Sequence, residues 1–201
     1  MQERVMTHLV DARLVALVKP FMGAKDVRSY LNGVHIRSTG AGGVAIEATN
    51  GHVCAVIHQE DGLASDDNVI IKGEVVAKLP KTGKIAIYSD GSVEAIADKG
   101  DLLPRYERAV NEGKFPDTPK VFPDFSQLTK GLVGSALNAS YVLKGLEFFK
   151  AFSTKNRFAG QVEIYQGSEQ GVILMASYMH DAFVLIMPCR DDGIPRRPNW
   201  L

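Results

Sequence analysis

The sequence predicts an α+β fold in which a unit of one strand, one helix and three further strands is repeated, with the helices on one face of antiparallel sheets. Three similar segments support this prediction, and each has two strand-like runs around a glycine-containing turn: GVHIRSTGAGGVAIEAT, GKIAIYSDGSVEAIAD and GQVEIYQGSEQGVILMAS. A helical pattern precedes each segment, so the copies cover about residues 5–60, 67–124 and 131–190. Because a single helix covers only one side of a small sheet, we expect the units to pair to complete a core.

The first unit has the clearest pattern of the three. Residues 7–11 read as a strand, and the apolar positions within residues 12–22 recur with helical spacing. Between residues 28 and 56, apolar residues alternate with polar or small ones, as in half-buried antiparallel strands. Asn50-Gly51 is a turn dipeptide, which presents His52 near the start of a strand.

The second unit follows a polar link at residues 60–67. It begins with a strand at 69–71, a short helix at 73–79 and two strands within 84–97. The pattern at residues 104–111 predicts one or two helical turns, because Pro104 suits the first turn of a helix and Gly113 follows the end of the predicted helix.

The proline-rich segment 115–123, at the end of the second unit, is the predicted connection between the two halves of the chain. The predicted elements of the third unit are a strand at 132–138, a helix at 141–152 and strands near 161–166, 171–177 and 182–187.

Composition places the chain in the ordinary globular class, since 45% of its 201 residues are hydrophobic and 23% are charged. Its apolar runs are far shorter than the roughly 20 residues that span a bilayer, and the first residues lead into no signal-peptide core. We therefore expect no membrane contact and a cytoplasmic location. Cys54 and Cys189 are the only cysteines, and we expect both to be reduced thiols.

Catalytic, metal and cofactor sites are not predicted. His52 and Cys54 stand two apart on one strand, but no third group that could orient a nucleophile and a base accompanies them. The remaining histidines show no metal-ligand spacing with each other or with the cysteines: His8, His35, His58 and His180. The glycine pair Gly42-Gly43 lies between strands with no helix following, so it forms a turn and not a phosphate loop.

Four separated motifs stand in a distinctive order along the chain: DVRSYLNGV at 26–34, ATNGH at 48–52, FPD at 115–117 and FVLIMPCR at 183–190. Together they resemble the motifs of the bacterial sliding clamp, the β subunit of DNA polymerase III. The resemblance implies a clamp domain at residues 1–124, similar to the middle domain of that family. It also implies a half clamp domain at 125–190, similar to the end of the C-terminal domain, and a tail at 191–201. This trimmed architecture leads us to expect a phage or mobile-element origin.

The resemblance also implies a function. Clamps of that family form closed rings of DNA clamp folds, with helices around duplex DNA and sheets outside, and they tether polymerases without chemistry of their own. A pocket between their middle and last domains receives a short hydrophobic peptide from each partner. The implied partners are therefore duplex DNA of any sequence, a DNA polymerase, other clamp-binding proteins and a clamp loader, together with further copies of the chain.

The pocket residues that the resemblance implies are carried over position by position. One wall consists of Leu31, Thr49, Gly51, His52, Val53 and Cys54. The floor consists of Pro116, Lys120 and Val121. The opposite wall consists of Leu185, Met187, Pro188, Cys189 and Arg190. A mostly apolar groove of this kind suits a short peptide.

Basic residues are concentrated on the predicted helices, although the formal net charge of the chain is zero. The windows 11–21, 72–81 and 141–157 hold nine basic and three acidic residues. If these helices line one surface, that surface suits phosphate contact, whereas the alternative is that the lysines only solvate the helices. The predicted DNA contacts are Arg13, Lys19, Lys72, Lys78, Lys81, Lys144 and Lys150, and the resemblance adds Lys25, Arg28 and Tyr30.

Two hypotheses follow, and neither is an enzyme. The first is a ring-forming polymerase processivity factor, in which four chains would supply twelve units and the third unit pairs with a unit of another subunit. The second is a decoy or adaptor without a ring, which offers the pocket to clamp-binding peptides. The tail is either a disordered or locally packed terminus, or it docks Trp200 and Leu201 as a hydrophobic peptide into a pocket of its own chain or of a neighbour.

Overall fold

The computed structural model describes residues 4–65, 68–98, 102–131, 136–152, 161–167, 171–176 and 179–189. The strands of the first two units are β1 Met6–Asp11, β2 Gly33–Ser38, β3 Val44–Thr49, β4 Val53–Gln59, β5 Leu63–Ala64, β6 Val69–Lys72, β7 Lys84–Tyr88, β8 Val93–Ile96, β9 Leu102–Tyr106 and β10 Val110–Asn111. The third unit has β11 Thr129–Lys130, β12 Val162–Gln166, β13 Val172–Ala176 and β14 Met179–Ile186. The helices are α1 Ala12–Val18, α2 Gly73–Val76 and α3 Ala139–Phe152.

The strands of the described residues form two antiparallel sheets. One has five strands in the order β5-β1-β7-β8-β9, and the other has nine in the order β10-β6-β2-β3-β4-β14-β13-β12-β11. The first two units exchange their first strands, because β1 pairs with β7 of the second unit and β6 pairs with β2 of the first. Each of these units therefore completes a sheet of the other. The predicted α+β architecture with helices against antiparallel sheets is confirmed.

The third unit continues the larger sheet. Strand β14 pairs antiparallel with β4, so that Leu185 lies opposite Cys54 and Val184 lies opposite Ala55. This pairing joins the first unit to the last described strand without a break in the sheet.

The core lies between this sheet and the helices. Val44, Ile46 and Ala48 alternate along β3, are fully buried, and belong to the cluster that includes residues of α1 and α3. Phe21 after α1 meets Phe148 of α3 edge to face, with ring centroids 5.7 Å apart. The outer face of the sheet has a smaller apolar cluster, against which side chains of residues 122–128 pack.

Two predicted elements are corrected by the structure, and a third lies mostly outside the described residues. The first helix ends at Val18 and continues as a 3₁₀ turn, Lys19–Phe21, because Pro20 lacks the N–H that a further α-helical turn requires. The predicted helical turns from Pro104 are wrong, since Leu102–Tyr106 is the edge strand of the smaller sheet, where a missing N–H is tolerated. Most of the predicted strand at 132–138 lies outside the described residues, as does the tail.

Within the described ranges, no helix is long and apolar enough to cross a membrane.

Candidate functional site

An apolar pocket of about 180 Å³ opens on the outer face of the nine-stranded sheet. Its lining consists of Thr49, Gly51, His52, Val53, Cys54, Pro116, Thr118, Val121, Leu185 and Met187. Three distant segments meet here because β4 pairs with β14 and the connection between the halves crosses beside them. The pairing extends one step beyond the strand, where the backbone N–H of Met187 donates to the carbonyl of His52 at 2.9 Å.

The turn from Thr49 to Val53 gives the pocket a fixed wall. The Asn50 side-chain oxygen accepts hydrogen bonds from the backbone N–H groups of His52 (2.9 Å) and Val53 (3.1 Å). The Thr49 hydroxyl accepts from the N–H of Gly51 at 3.0 Å and donates to the carbonyl of Val53 at 2.9 Å. Gly51 has a φ of 89°, a conformation that L side chains rarely adopt. The wall is therefore held in one conformation by hydrogen bonds within residues 49–53.

An ion pair lies at the rim of this wall. The Arg28 guanidinium donates to both carboxylate oxygens of Asp26, at 3.0 and 2.9 Å. These hydrogen bonds lower the pKa of Asp26 to about 2. A Cβ atom placed on Gly51 would come within 3.2 Å of the same guanidinium. Arg28, which we predicted as a DNA contact, therefore lies beside the pocket.

The floor of the pocket is anchored to a carboxylate buried within the sheet. Glu47 of β3 is fully buried, and its carboxylate accepts hydrogen bonds from the Thr118 hydroxyl and from Arg37 Nε. Its Oε2 also lies 3.8 Å from Nδ1 of His35, whose ring stacks on Phe115 with centroids 4.3 Å apart. Thr118 and Phe115 both belong to the connecting segment, residues 115–123. The hydrogen bond from Thr118 to Glu47 and the stacking of Phe115 on His35 therefore hold this segment against the sheet.

The charge state of Glu47 follows from this environment. Burial favours the neutral carboxyl, but the contacts with His35 and Thr118 and the charge of Arg37 outweigh it and hold the pKa of Glu47 below its usual value. A charged carboxylate within an apolar strand requires such partners. Sequence reasoning missed Glu47 and Thr118, although a glutamate among buried strand residues in VAIEAT was a detectable signal.

Four of the predicted pocket residues that the structure describes do not line the cavity: Leu31, Lys120, Pro188 and Cys189. Leu31 is buried, and the Lys120 ammonium pairs with Asp117 at 2.7 Å and lines a neighbouring cavity. Cys189 has an exposed side chain, while its backbone N–H donates to the carbonyl of Ala136 at 2.8 Å. Arg190 lies outside the described residues.

The Cys54 thiol is not poised for catalysis. Burial, followed by the nearby Glu47 charge, raises the pKa of this thiol well above its usual value, so the reactive thiolate is disfavoured. No group of three histidine, cysteine or carboxylate side chains that could hold a metal occurs in the part of the chain that the structure describes.

A basic groove of about 530 Å³ lies on the helix side of the sheet. It runs between α1, α3 and the turn that follows α2. Lys19, Lys81 and Lys144 line it, and none of the described lining residues is acidic. The Lys144 ammonium is held there by the carbonyl of Pro20, at 3.1 Å from Nζ. The structure thus gathers one predicted lysine from each predicted helical window.

The other predicted DNA contacts are not gathered in the groove. The Arg13 guanidinium donates to the carbonyl of Ala151 at 3.0 Å and so links α1 to α3. Lys72 donates to the carbonyl of Arg108 at 2.7 Å and lines a separate cavity. Four residues remain outside the groove lining as well, three of them exposed lysines and one a half-buried tyrosine: Lys25, Lys78, Lys150 and Tyr30. Two further bases of the third window, Lys155 and Arg157, fall outside the described residues.

Comparison with known proteins finds matches among solved structures only. No protein-family model and no curated protein sequence matches this chain. A solved DNA polymerase sliding clamp from Pseudomonas aeruginosa, determined with a ligand, superposes with a TM-score of 0.69 at 18% identity, over 94% of this chain and 68% of the clamp. The DNA polymerase III β subunit of Borrelia burgdorferi, in complex with a natural product, gives a TM-score of 0.69 at 14% identity, over 92% and 65%.

A griselimycin-bound sliding clamp from Pseudomonas aeruginosa gives a TM-score of 0.66 at 17% identity, over 94% of this chain and 66% of that one. The chain therefore spans about two thirds of the length of these clamps. The resemblance found in the four sequence motifs is confirmed at the level of the fold: this chain has the fold of the bacterial DNA sliding clamp, the β subunit of DNA polymerase III.

Proposed function

We propose that this chain is a non-catalytic, sliding-clamp-like processivity factor. It contacts duplex DNA through the lysines of the basic groove and recruits a polymerase and other clamp-binding proteins through the outer pocket. The observation that supports this most strongly is the pairing of β4 with β14, because it sets Cys54 against Leu185 and so brings the two pocket walls together. On this proposal, residues 1–124 are the clamp domain, residues 125–190 the half domain and residues 191–201 a tail.

The chemistry of the outer pocket suits an apolar peptide side chain. Val53, Leu185 and Met187 supply apolar contact. His52 also lines the pocket, whereas the Thr49 hydroxyl bonds within the turn. A volume of about 180 Å³ is below the range of pockets that enclose a drug-sized ligand. It therefore suits one or two anchoring side chains of a short peptide rather than a whole cofactor.

The chemistry of the basic groove suits phosphate. Lys19, Lys81 and Lys144 place three positive charges along one surface of a chain whose formal net charge is zero. Lysines that contact phosphates give affinity without sequence preference, which is what a protein that moves along duplex DNA requires. Several copies of the chain, placed by a clamp loader, would surround the DNA.

A second candidate function is an adaptor or decoy that binds clamp-interacting peptides without surrounding DNA. The observation that favours it is that the pairing of β4 with β14 brings both pocket walls together within one chain, so that peptide binding does not require a ring. This candidate predicts peptide binding without retention on duplex DNA, whereas the processivity factor requires both.

Peptide binding is tested by making the pocket polar without changing its charge. The double variant Val121→Asn with Met187→Gln changes two lining side chains that are both partly exposed, so the fold should be preserved. We expect a short fluorescent peptide with adjacent leucine and phenylalanine residues to bind at least about ten-fold more weakly, because burying one such side chain is worth about 1.5–3 kcal/mol. Fluorescence anisotropy measures this affinity.

The matched control is Val5→Asn with Leu63→Gln, which alters two exposed apolar residues outside the pocket lining. It should bind the peptide as the wild type does. Equal affinity of the pocket variant and the control would show that the peptide does not bind at this pocket.

A further inference from the structure

A second cavity adjoins the outer pocket, and we call it the flanking cavity. Its volume is about 460 Å³. The two cavities share Pro116 and Thr118 as lining residues, so they meet at the connecting segment. Phe115 and Lys120 of the same segment line the flanking cavity but not the outer pocket. A peptide that fills the outer pocket therefore has the flanking cavity within reach.

Strand β2 supplies one wall of the flanking cavity. Val34 and Ile36 of this strand belong to the core cluster. His35 and Arg37 alternate with them and therefore face the outer side of the sheet, where both line the cavity. Arg37 uses its Nε for the carboxylate of Glu47, and no hydrogen bond among the described residues engages its Nη2. The guanidinium is thus held in place by a buried partner and still has N–H groups to donate.

Two lysines add positive charge to the flanking cavity. Lys114 lines it, is exposed, and forms no ion pair within the described ranges. The Lys120 ammonium pairs with Asp117 at 2.7 Å, but their side chains are 80% and 52% exposed. Exposed ion pairs contribute little to stability, so Lys120 can turn to another anion with little loss. The described lining therefore holds three cations, including Arg37, and one carboxylate.

The two adjoining cavities differ in chemistry. The described lining of the outer pocket contains no lysine, arginine or carboxylate and suits an apolar side chain. The flanking cavity is cationic and suits an anion. An extended peptide advances about 3.3 Å per residue, so residues that occupy adjoining cavities stand within about three positions of each other. The pair of cavities therefore fits a peptide in which an acidic residue stands close to the apolar anchor.

We propose that the flanking cavity binds the carboxylate of an acidic residue that stands close to the apolar anchor of the bound peptide. Lys114, Lys120 and Arg37 are its partners. The planar guanidinium matches the geometry of a carboxylate, while the two lysines act as mobile charges at the rim. This inference rests on the proposed function, because the peptide must dock in the outer pocket. It names the class of partner as one whose clamp-binding peptide joins apolar and acidic residues.

The first test compares two peptides that differ only in charge. Both contain adjacent leucine and phenylalanine residues and end in an amide, so that neither has a terminal carboxylate. One carries an aspartate two positions away on each side of the anchor, and the other carries asparagine there. We expect the aspartate peptide to bind the wild type at least about five-fold more tightly at low salt, measured by fluorescence anisotropy. Added salt should reduce this preference, because it screens exposed charges.

The second test removes the cations of the flanking cavity. Lys114→Gln with Lys120→Gln should reduce the preference for the aspartate peptide to less than about two-fold, with little effect on the asparagine peptide. The control Lys84→Gln with Lys130→Gln makes the same charge change at lysines outside the lining of both cavities and should keep the preference.

A third variant should act in the opposite direction. Asp117→Asn removes the carboxylate from the described lining and frees Lys120 from its ion pair. The Asp117 side chain makes no capping hydrogen bond to the turn that follows it, so the fold should be preserved. We expect the aspartate peptide to bind this variant about two-fold more tightly than it binds the wild type, and the asparagine peptide to bind both alike.

Equal affinity of the wild type for the two peptides overturns this inference and leaves peptide binding at the outer pocket intact. A cavity that accepts only small free anions, such as inorganic phosphate, would give this same result. A preference that survives in the Lys114 and Lys120 variant, or that the control loses equally, overturns the inference as well. If neither peptide binds the wild type, the proposed function and this inference fail together.

Discussion

The two faces of the nine-stranded sheet are built from alternating residues of the same strands but differ in chemistry. On β3, Val44 and Ile46 face the helices, whereas Ala45 and Glu47 face the connecting segment. The helix side carries the basic groove, whose described lining includes three lysines and no acidic residue. The outer side carries the apolar pocket, whose floor is fixed by a buried carboxylate. One sheet thus separates a surface suited to phosphate from a surface suited to a peptide.

The largest expected effect comes from removing the anchor of the outer face. Glu47→Gln takes away the charged partner of Arg37 and Thr118, and we expect the free energy of unfolding to fall by about 2 kcal/mol. The pKa of Glu47 is below its usual value in the folded protein, so its stabilisation is present at neutral pH and is lost as the pH falls through that folded-state pKa. Urea denaturation should therefore show a gap between wild type and variant that closes on acidification.

A matched control distinguishes general destabilisation from loss of the pocket floor. Glu94→Gln removes the other carboxylate buried in a sheet among the described residues, where it pairs with Arg4 and accepts from Tyr88. Both variants should lose stability, but only Glu47→Gln should weaken peptide binding, because only Glu47 holds Thr118 of the pocket. Equal peptide affinities would mean that the anchor does not shape the pocket.

A smaller effect is expected from the helix side. Lys81→Glu with Lys144→Glu should weaken duplex DNA binding about ten-fold and lower the slope of log affinity against log salt by about two, since each phosphate contact contributes about 0.9. Lys114→Glu with Lys120→Glu makes the same charge change on the outer side and should leave the slope nearly unchanged. If both pairs of substitutions act alike, the basic groove is not the DNA surface.

The sequence predicted local and repeated features better than long-range ones. The alternation in residues 28–56 and the helix near residues 141–152 are properties of short windows, and both were confirmed as β2–β4 and α3. Thr118 was missed because its role depends on Glu47, which is 71 residues away. The helical turns predicted from Pro104 were wrong because proline suits both the start of a helix and an edge strand. Only the order of strands in the sheet distinguishes the two.

Charge counting had the same limit. The count over the predicted helices indicated a basic surface, and Lys19, Lys81 and Lys144 do line one groove. The count could not predict that the Lys72 ammonium donates to the carbonyl of Arg108, because a charge sum over a window contains no information on side-chain direction. Direction depends on the neighbours that the fold supplies.

The most direct test of this division between faces asks whether one protein molecule binds DNA and peptide together. A labelled duplex and a peptide carrying a second label are mixed with the wild type, and both labels are followed by sedimentation velocity. Separate faces predict that the peptide label sediments with the DNA only when the protein is present, and that DNA changes peptide affinity less than about two-fold. Displacement of the peptide by DNA would contradict this account.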